Sequence, residues 1–303
     1  MIQKHIWNKE TWIDVDNGTP EEIASIVEEY DLDPYVAKEI GSPTPKSRIE
    51  FHKEYIYMIL HFPVFKQTHS KKLKQEIDFV IGKNFLLTTH YDTIDSLHKL
   101  SKELEVEEIL SKNEDGSGHH VFGLLFRQLY SGINDELAYI ESWSESITEE
   151  IFEGHEQEMV FEISEAIRTL LEFKKTTDSH KEILDFLRDG GGHVLGPKFT
   201  EEIDAILLEY HRLRDIIKAN IEILRELRET NNSLLSTKQN ETIKTLTVVT
   251  MISFPFMLLS ALFTMDLGGR PLTENHLGFY IMFGIMCVLS FSFYKVAKYK
   301  KWL

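Results

Sequence analysis

Two apolar runs close the chain, at 246–265 and 277–294, and neither contains a charged residue. A helix needs roughly 20 apolar residues to cross about 30 Å of hydrocarbon. The first run meets that length, and the second meets it with its aromatic flanks. A hairpin of two membrane spans at the end of a large charged domain follows. The segment between the spans holds Asp266, Arg270 and Glu274, while Lys295, Lys298, Lys300 and Lys301 crowd the end. Lys238 and Lys244 precede the first span. Basic residues stay on the cytoplasmic side, so both termini are expected in the cytoplasm and the loop outside, in a multi-pass protein of the cell membrane. No cleavable signal is legible near Met1, so the large domain is not expected to be exported.

The first span is not uniformly apolar. It carries Thr247, Thr250, Ser253, Ser260 and Thr264, with Pro255 in its middle. Hydroxyls and a proline within one span suit helix–helix contact or a water-lined path. A plain anchor and a pore are the two readings that composition leaves. The single cysteine, Cys287, lies in the second run, so one chain can form neither a disulfide nor a cysteine metal site.

The formal net charge of −16 argues against a nucleic-acid partner, which wants basic surface. It suits a protein that attracts cations, and equally one that is merely soluble. Residues 1–118 read as a mixed α/β domain. Thr19-Pro20 marks a helix start, an N-cap followed by proline at the first helical position. The stretches 55–65 and 76–90 are aromatic and β-branched, which favours strands, with a hairpin turn at Gly82-Lys83-Asn84. Residues 119–192 read as an acidic helical hairpin breaking near Gly154. Between Asp135 and Glu165 it carries eleven acids and no Lys or Arg. Such a run is a solvated helix face or a surface that concentrates cations. Gly190-Gly191-Gly192 is expected to end the hairpin.

A stalk helix is expected over 193–245. Ile203, Tyr210, Ile217 and Leu224 are seven apart, and Ile206, Leu213, Leu227 and Leu234 fill the offset positions, with Asn220 the polar member. That is a heptad seam. It runs on into the first span, giving one helix of about 60 residues and roughly 90 Å. The seam must be buried by other helices, and a symmetric oligomer is the economical source. The remaining divisions are a first span at 246–265, an outer loop at 266–276, a second span at 277–297 and a basic tail at 298–303.

Several segments together resemble the CorA family of divalent-cation channels. Residues 240–247 (NETIKTLT) are similar to the family's Asn-x-x-Met-Lys-x-Leu-Thr approach to its first span, and Pro255 falls at the family's proline. Lys300-Lys301-Trp302-Leu303 resembles its basic-Trp-Leu ending, and 60–63 (LHFP) and 78–90 resemble its strand segments. The resemblance implies an α+β cytoplasmic domain, a long stalk helix, two C-terminal transmembrane helices and a homopentameric funnel in the lipid bilayer. It implies Mg²⁺ as cargo and as a regulatory ion, with Co²⁺ or Ni²⁺ as further cargo.

The family's Gly-Met-Asn signature is here Thr264-Met265-Asp266. The resemblance makes Asp266 a ring of carboxylates at the outer mouth, and acid rings select cations. It maps the pore onto Asn240, Leu246, Thr250, Phe254, Met257 and Ala261, with Leu246 and Phe254 as apolar constrictions. In the outer loop Glu274 and His276 could recruit metal. The regulatory acid falls at Asp204, with Glu201, Glu202 or Glu209 nearby. His119-His120 reads as surface histidine. The changed signature leaves two other readings open: a Zn²⁺-preferring, proton-coupled relative, and a non-conducting membrane sensor or scaffold. No enzyme and no organic cofactor are expected. The chain shows no G-x-x-x-x-G-K phosphate loop and no nucleophile elbow.

Overall fold

The computed structural model describes residues 2–7, 10–64, 74–110, 121–264 and 276–299. They fall into two compact units, Met1–Arg228 and Glu229–Leu303. The first unit is built on a six-stranded sheet. Its strands are β1 (Ile2–Trp7), β2 (Glu10–Asp16), β3 (Arg48–Phe51), β4 (Tyr55–Pro63), β5 (Lys74–Gly82) and β6 (Phe85–His90). The spatial order is β1-β2-β6-β5-β4-β3, and only the β2–β6 pair is parallel.

All nine residues of β4 are buried. That explains its unbroken apolar run: a strand covered on both faces has no solvent side to alternate with. On one face Tyr55, Tyr57 and Ile59 meet Ile26 of α1 (Pro20–Glu29) and Val36 and Ile40 of α2 (Pro34–Ile40). Thr19 caps α1 in a reciprocal box: Glu22 N donates to Thr19 Oγ1 at 3.2 Å, and Thr19 N to Glu22 Oε2 at 2.9 Å. α3 (Asp95–Leu110), α4 (Val121–Glu153) and α5 (Glu156–Leu195) follow the sheet. Phe79 on the other face packs its ring 6.1 Å from Phe122 and 5.6 Å from Phe126 of α4.

His180 fastens α5 to β4. Its Nε2 donates to the His61 carbonyl at 2.7 Å, and its Nδ1 accepts from Tyr130 Oη at 3.2 Å. Burial pushes the imidazole down to a pKa of about 4, so it stays neutral in both contacts.

Three expectations are corrected here. The glycines at 190–192 do not end the hairpin, because α5 continues through them to Leu195. Their role is close approach. A β-carbon on Gly190 would lie 2.7 Å from the Phe51 ring, and one on Gly191 2.7 Å from Phe199. The stop comes at Gly196, whose φ of +100° is one that side chains rarely adopt. The boundary expected after 192 therefore falls inside a helix, and the next helix, α6, spans Pro197–Thr264.

The third correction concerns the seam. Ile203, Ile206, Tyr210, Leu213, Ile217, Asn220 and Leu224 are already buried within this single chain. Asn220 Nδ2 donates to Glu141 Oε1 of α4 at 3.0 Å. A heptad repeat specifies that a face must be covered, not whose helix covers it. Cover weakens at Leu227 and Leu234, which are half-buried. The sheet's first hairpin, β1–β2, and strand β3 were not legible in the sequence. α7 (His276–Tyr299) closes the described chain.

Candidate functional site

The far end of α6 carries the residues that the sequence pattern assigns to an ion path. Its hydroxyls satisfy themselves within the helix. Thr242 donates to Lys238 O at 3.0 Å, Thr245 to Glu241 O at 2.9 Å, Thr247 to Ile243 O at 2.8 Å and Thr250 to Leu246 O at 2.8 Å. Such bonds to the carbonyl four residues back let a threonine enter an apolar segment without leaving a polar group unpaired. The helix also runs through Pro255. Among the described residues it is the one helix long and apolar enough to cross a membrane, with a mean hydropathy of 1.6 in its apolar window. In α7 the apolar stretch Phe283–Val296 is shorter.

Burial divides α6 into two faces past residue 246. Val248 is buried, and Ile252, Pro255, Phe256 and Leu259 are half-covered. At 3.6 residues per turn these form one stripe. In α7 the covered positions Gly278, Met286 and Ser290 are also multiples of four apart, the periodicity of helices laid side by side. Off its stripe α6 is open. Leu246 is 65% exposed, Phe254 60% and Met257 70%, and Thr250 and Ala261 are exposed with them. These five centre on a direction about 180° from the covered stripe. Asn240, further back, is exposed too.

Thr264 is the last residue of α6 and His276 the first of α7, and their side chains are outside the described set. Met265, Asp266, Glu274, His119 and His120 lie outside the described residues altogether.

The acids suggested for regulation divide between a cleft and an exposed position. Glu201, Glu202 and Glu209 line one cleft of about 350 Å³, together with Arg127 and Lys198. Burial raises the Glu209 carboxyl above its ordinary range, against the pull of Arg127 and Arg212. Arg127 and Lys198 thus offset part of the negative charge in this cleft. Asp204 does not line this cleft and is exposed on its helix.

One cluster escaped the sequence reading. Glu150, Glu153 and His155, at the α4–α5 turn, hold their ligand-type atoms within 4.8 Å of one another. His155 Nδ1 lies 2.5 Å from Glu150 Oε2. The sequence signal for it was the break at Glu153-Gly154-His155 inside the acidic run. Both groups of that pair are half-open to solvent, as exposed acids commonly are without a metal.

Comparison with known proteins adds to this geometry. The chain is 24% identical over 259 residues to the cobalt/magnesium transport protein CorA of Methanocaldococcus jannaschii, covering 84% of this chain and 80% of that one. It is 22% identical over 303 residues to the cobalt/magnesium transport protein CorA of Thermotoga maritima, covering 97% and 83%. The complete structure of the CorA magnesium transporter from Methanocaldococcus jannaschii superposes with a TM-score of 0.83 at 21% identity, over 97% of this chain and 92% of the other. The fold is therefore the CorA fold. The family model for the CorA-like Mg2+ transporter protein matches residues 7–296, and the chain belongs to that family of membrane transporters.

Proposed function

We propose that this protein is a homopentameric divalent-cation channel, carrying Mg²⁺ foremost and Co²⁺ or Ni²⁺ as well. The observation that carries this reading is the open face of α6. Leu246, Thr250, Phe254, Met257 and Ala261 stand opposite the stripe that is covered within the chain. Copies of the same helix around an axis would turn those residues toward one another. The names of the Methanocaldococcus and Thermotoga relatives support magnesium and cobalt as cargo. Both runs at 246–265 and 277–294 span the membrane in this reading, with the N- and C-termini cytoplasmic.

In that assembly Leu246 and Phe254 form apolar rings, which oppose ions by shedding water. Asn240 forms a polar ring on the cytoplasmic side. Asp266, with Thr264 and Met265 beside it, forms the outer ring, and Glu274 and His276 flank the mouth. Five close carboxylates cannot all ionise independently, so they titrate as a group. A hydrated Mg²⁺ gives up its water reluctantly. The ring therefore acts first on the hydrated ion, through charge and acceptor oxygens. Asp204, exposed on α6, is the acid best placed to reach a regulatory Mg²⁺ shared with another copy. Glu209 stands instead in the electrostatic field of Arg127 and Arg212.

Metal uptake into liposomes carrying the purified protein tests this. Mg²⁺ entry independent of a pH gradient is expected. Asp266→Asn should shift the apparent Mg²⁺ affinity by about tenfold, equivalent to about 1.4 kcal/mol. Zn²⁺ preference with proton dependence would favour the coupled transporter, a reading that rests on Asp266, Glu274 and His276 at the mouth. No flux of any metal from correctly folded oligomers would leave the sensor.

A further inference from the structure

Some lysines of this acidic chain find a carboxylate. Lys4 meets Glu29 at 2.8 Å, Lys83 meets Glu54 at 3.1 Å, Lys174 meets Asp178 at 3.5 Å and Lys181 meets Asp185 at 2.6 Å. Lys46, Lys74 and Lys175 are among the lysines that join no ion pair within the described residues. All three line one cleft of about 330 Å³. It lies where the loop before β3, the end of β4, the start of β5 and the middle of α5 meet. Lys74 spends only one bond, from Nζ to the Pro45 carbonyl at 3.3 Å.

The cleft has a polar floor. His61 is 5% exposed, and its Nε2 lies 3.0 Å from the Thr44 carbonyl. That carbonyl accepts, so Nε2 carries the proton and Nδ1 accepts from Ser47 Oγ at 3.2 Å. Ser47 Oγ in turn lies 3.2 Å from Ser179 Oγ. Ser179 Oγ donates to the Thr176 carbonyl at 2.9 Å, so both hydroxyl protons are held within the protein and the lysines are left to meet an anion. Among the described residues Glu172 is the single acid in the lining and the Glu76 carboxylate stands behind it, 3.4 Å from His61 Nε2, so three lysines against two carboxylates leave one positive charge, in a chain of net charge −16. Among the described residues no Phe, Tyr or Trp lines the cleft to offer a stacking platform for a base.

We propose that this cleft is a binding site for a small oligophosphate anion, held by Lys46, Lys74 and Lys175 through its phosphate oxygens. Lysine serves phosphate as a mobile point charge with three donors. The site reads charge and phosphate number, not a base or sugar. Its position is in the soluble unit, and it stands independently of the ion-path reading.

Calorimetric titration of the full chain in detergent, without divalent metal, tests it. Sodium tripolyphosphate and ATP are expected to bind with affinities within about threefold of each other, and AMP about tenfold or more weaker. Raising salt from about 0.1 M to about 0.5 M should weaken both, since screening shortens the reach of exposed charge. Lys46→Gln with Lys175→Gln should weaken tripolyphosphate about tenfold or more, while Lys83→Gln leaves it unchanged. These lysines are exposed, and an unchanged melting temperature would show that the double variant folds. ATP binding without tripolyphosphate binding would overturn the proposal in favour of nucleoside recognition. Absence of binding, or binding indifferent to the double substitution, would overturn it outright.

Discussion

At the scale of single residues, Asp78 is the position where the fold works against a charge. It is 1% exposed, in the middle of β5, and Tyr57 Oη donates to its Oδ2 at 3.1 Å. Burial lifts its pKa to about 8 from 3.8, the neighbouring Glu76 carboxylate adds to the lift, and Tyr57 and Arg48 oppose it. The sign is that of a raised acid. The folded state holds the proton more tightly than the unfolded chain does. Stability is therefore fullest below pH 3.8 for this group and is lost as pH rises toward about 8. Asp78→Asn keeps an acceptor for Tyr57 and cannot ionise. It should raise stability at pH 8 by about 1–3 kcal/mol, with little gain at pH 4. Thermal melting of both proteins at the two pH values checks this. A variant less stable at pH 8 would mean that the carboxylate is paired better than its surroundings suggest.

At the scale of elements, the α5–β4 junction has the opposite sign. His180 is buried with its pKa near 4, below its ordinary 6.5. Its contribution is present above pH 6.5 and is lost as pH falls through about 4, because an imidazolium cannot accept from Tyr130. Between those limits the wild type should lose about 2 kcal/mol from this group. His180→Gln, which can still donate to the His61 carbonyl, should show a shallower acid slope in the same melting experiment. An equal slope would assign acid sensitivity to other histidines. Junctions of this kind explain what the sequence hid. The β4 and β5 runs and the hairpin at Gly82 were legible because pattern and turn chemistry are local. β2 was not, although it closes a hairpin with β1: its other pairing, with β6, is parallel and joins residues about seventy positions apart. Gly190–Gly192 misled for a related reason. Glycine marks a helix end by backbone freedom and a crowded packing site by lacking a side chain, and only the positions of Phe51 and Phe199 tell which applies. The candidate path was projected along α6 from helical period and the family resemblance, and Met265 and Asp266 at its outer end lie outside the described residues. The lysine cleft was not legible, since it assembles four segments.

At the scale of the whole molecule, the open face of α6 poses a choice between lipid and water. Leu246, Phe254 and Met257 would suit acyl chains as readily as a closed apolar gate. Thr250 on the same face, and Asn240 before it, suit water better. The chain supplies its own tool to separate these, because Cys287 is the sole cysteine. With Cys287→Ser as background, single cysteines at 250, 257 and 261 sample the open face, and single cysteines at 252 and 256 sample the covered stripe. A thiolate reacts far faster than a thiol, and thiolates form only where water reaches. A charged, membrane-impermeant thiol reagent should therefore modify Thr250→Cys, Met257→Cys and Ala261→Cys about tenfold faster than Ile252→Cys and Phe256→Cys. Added Mg²⁺ should slow the first group and not the second, since an occupied path excludes a charged reagent. If both faces resist the reagent while the oligomer is intact, the open face meets lipid, and the pore must be lined by another surface of the hairpin. If the covered stripe reacts and the open face does not, the helix is turned half a revolution from the proposed path. In that case Val248, Ile252 and Phe256 are the residues to pursue as its lining.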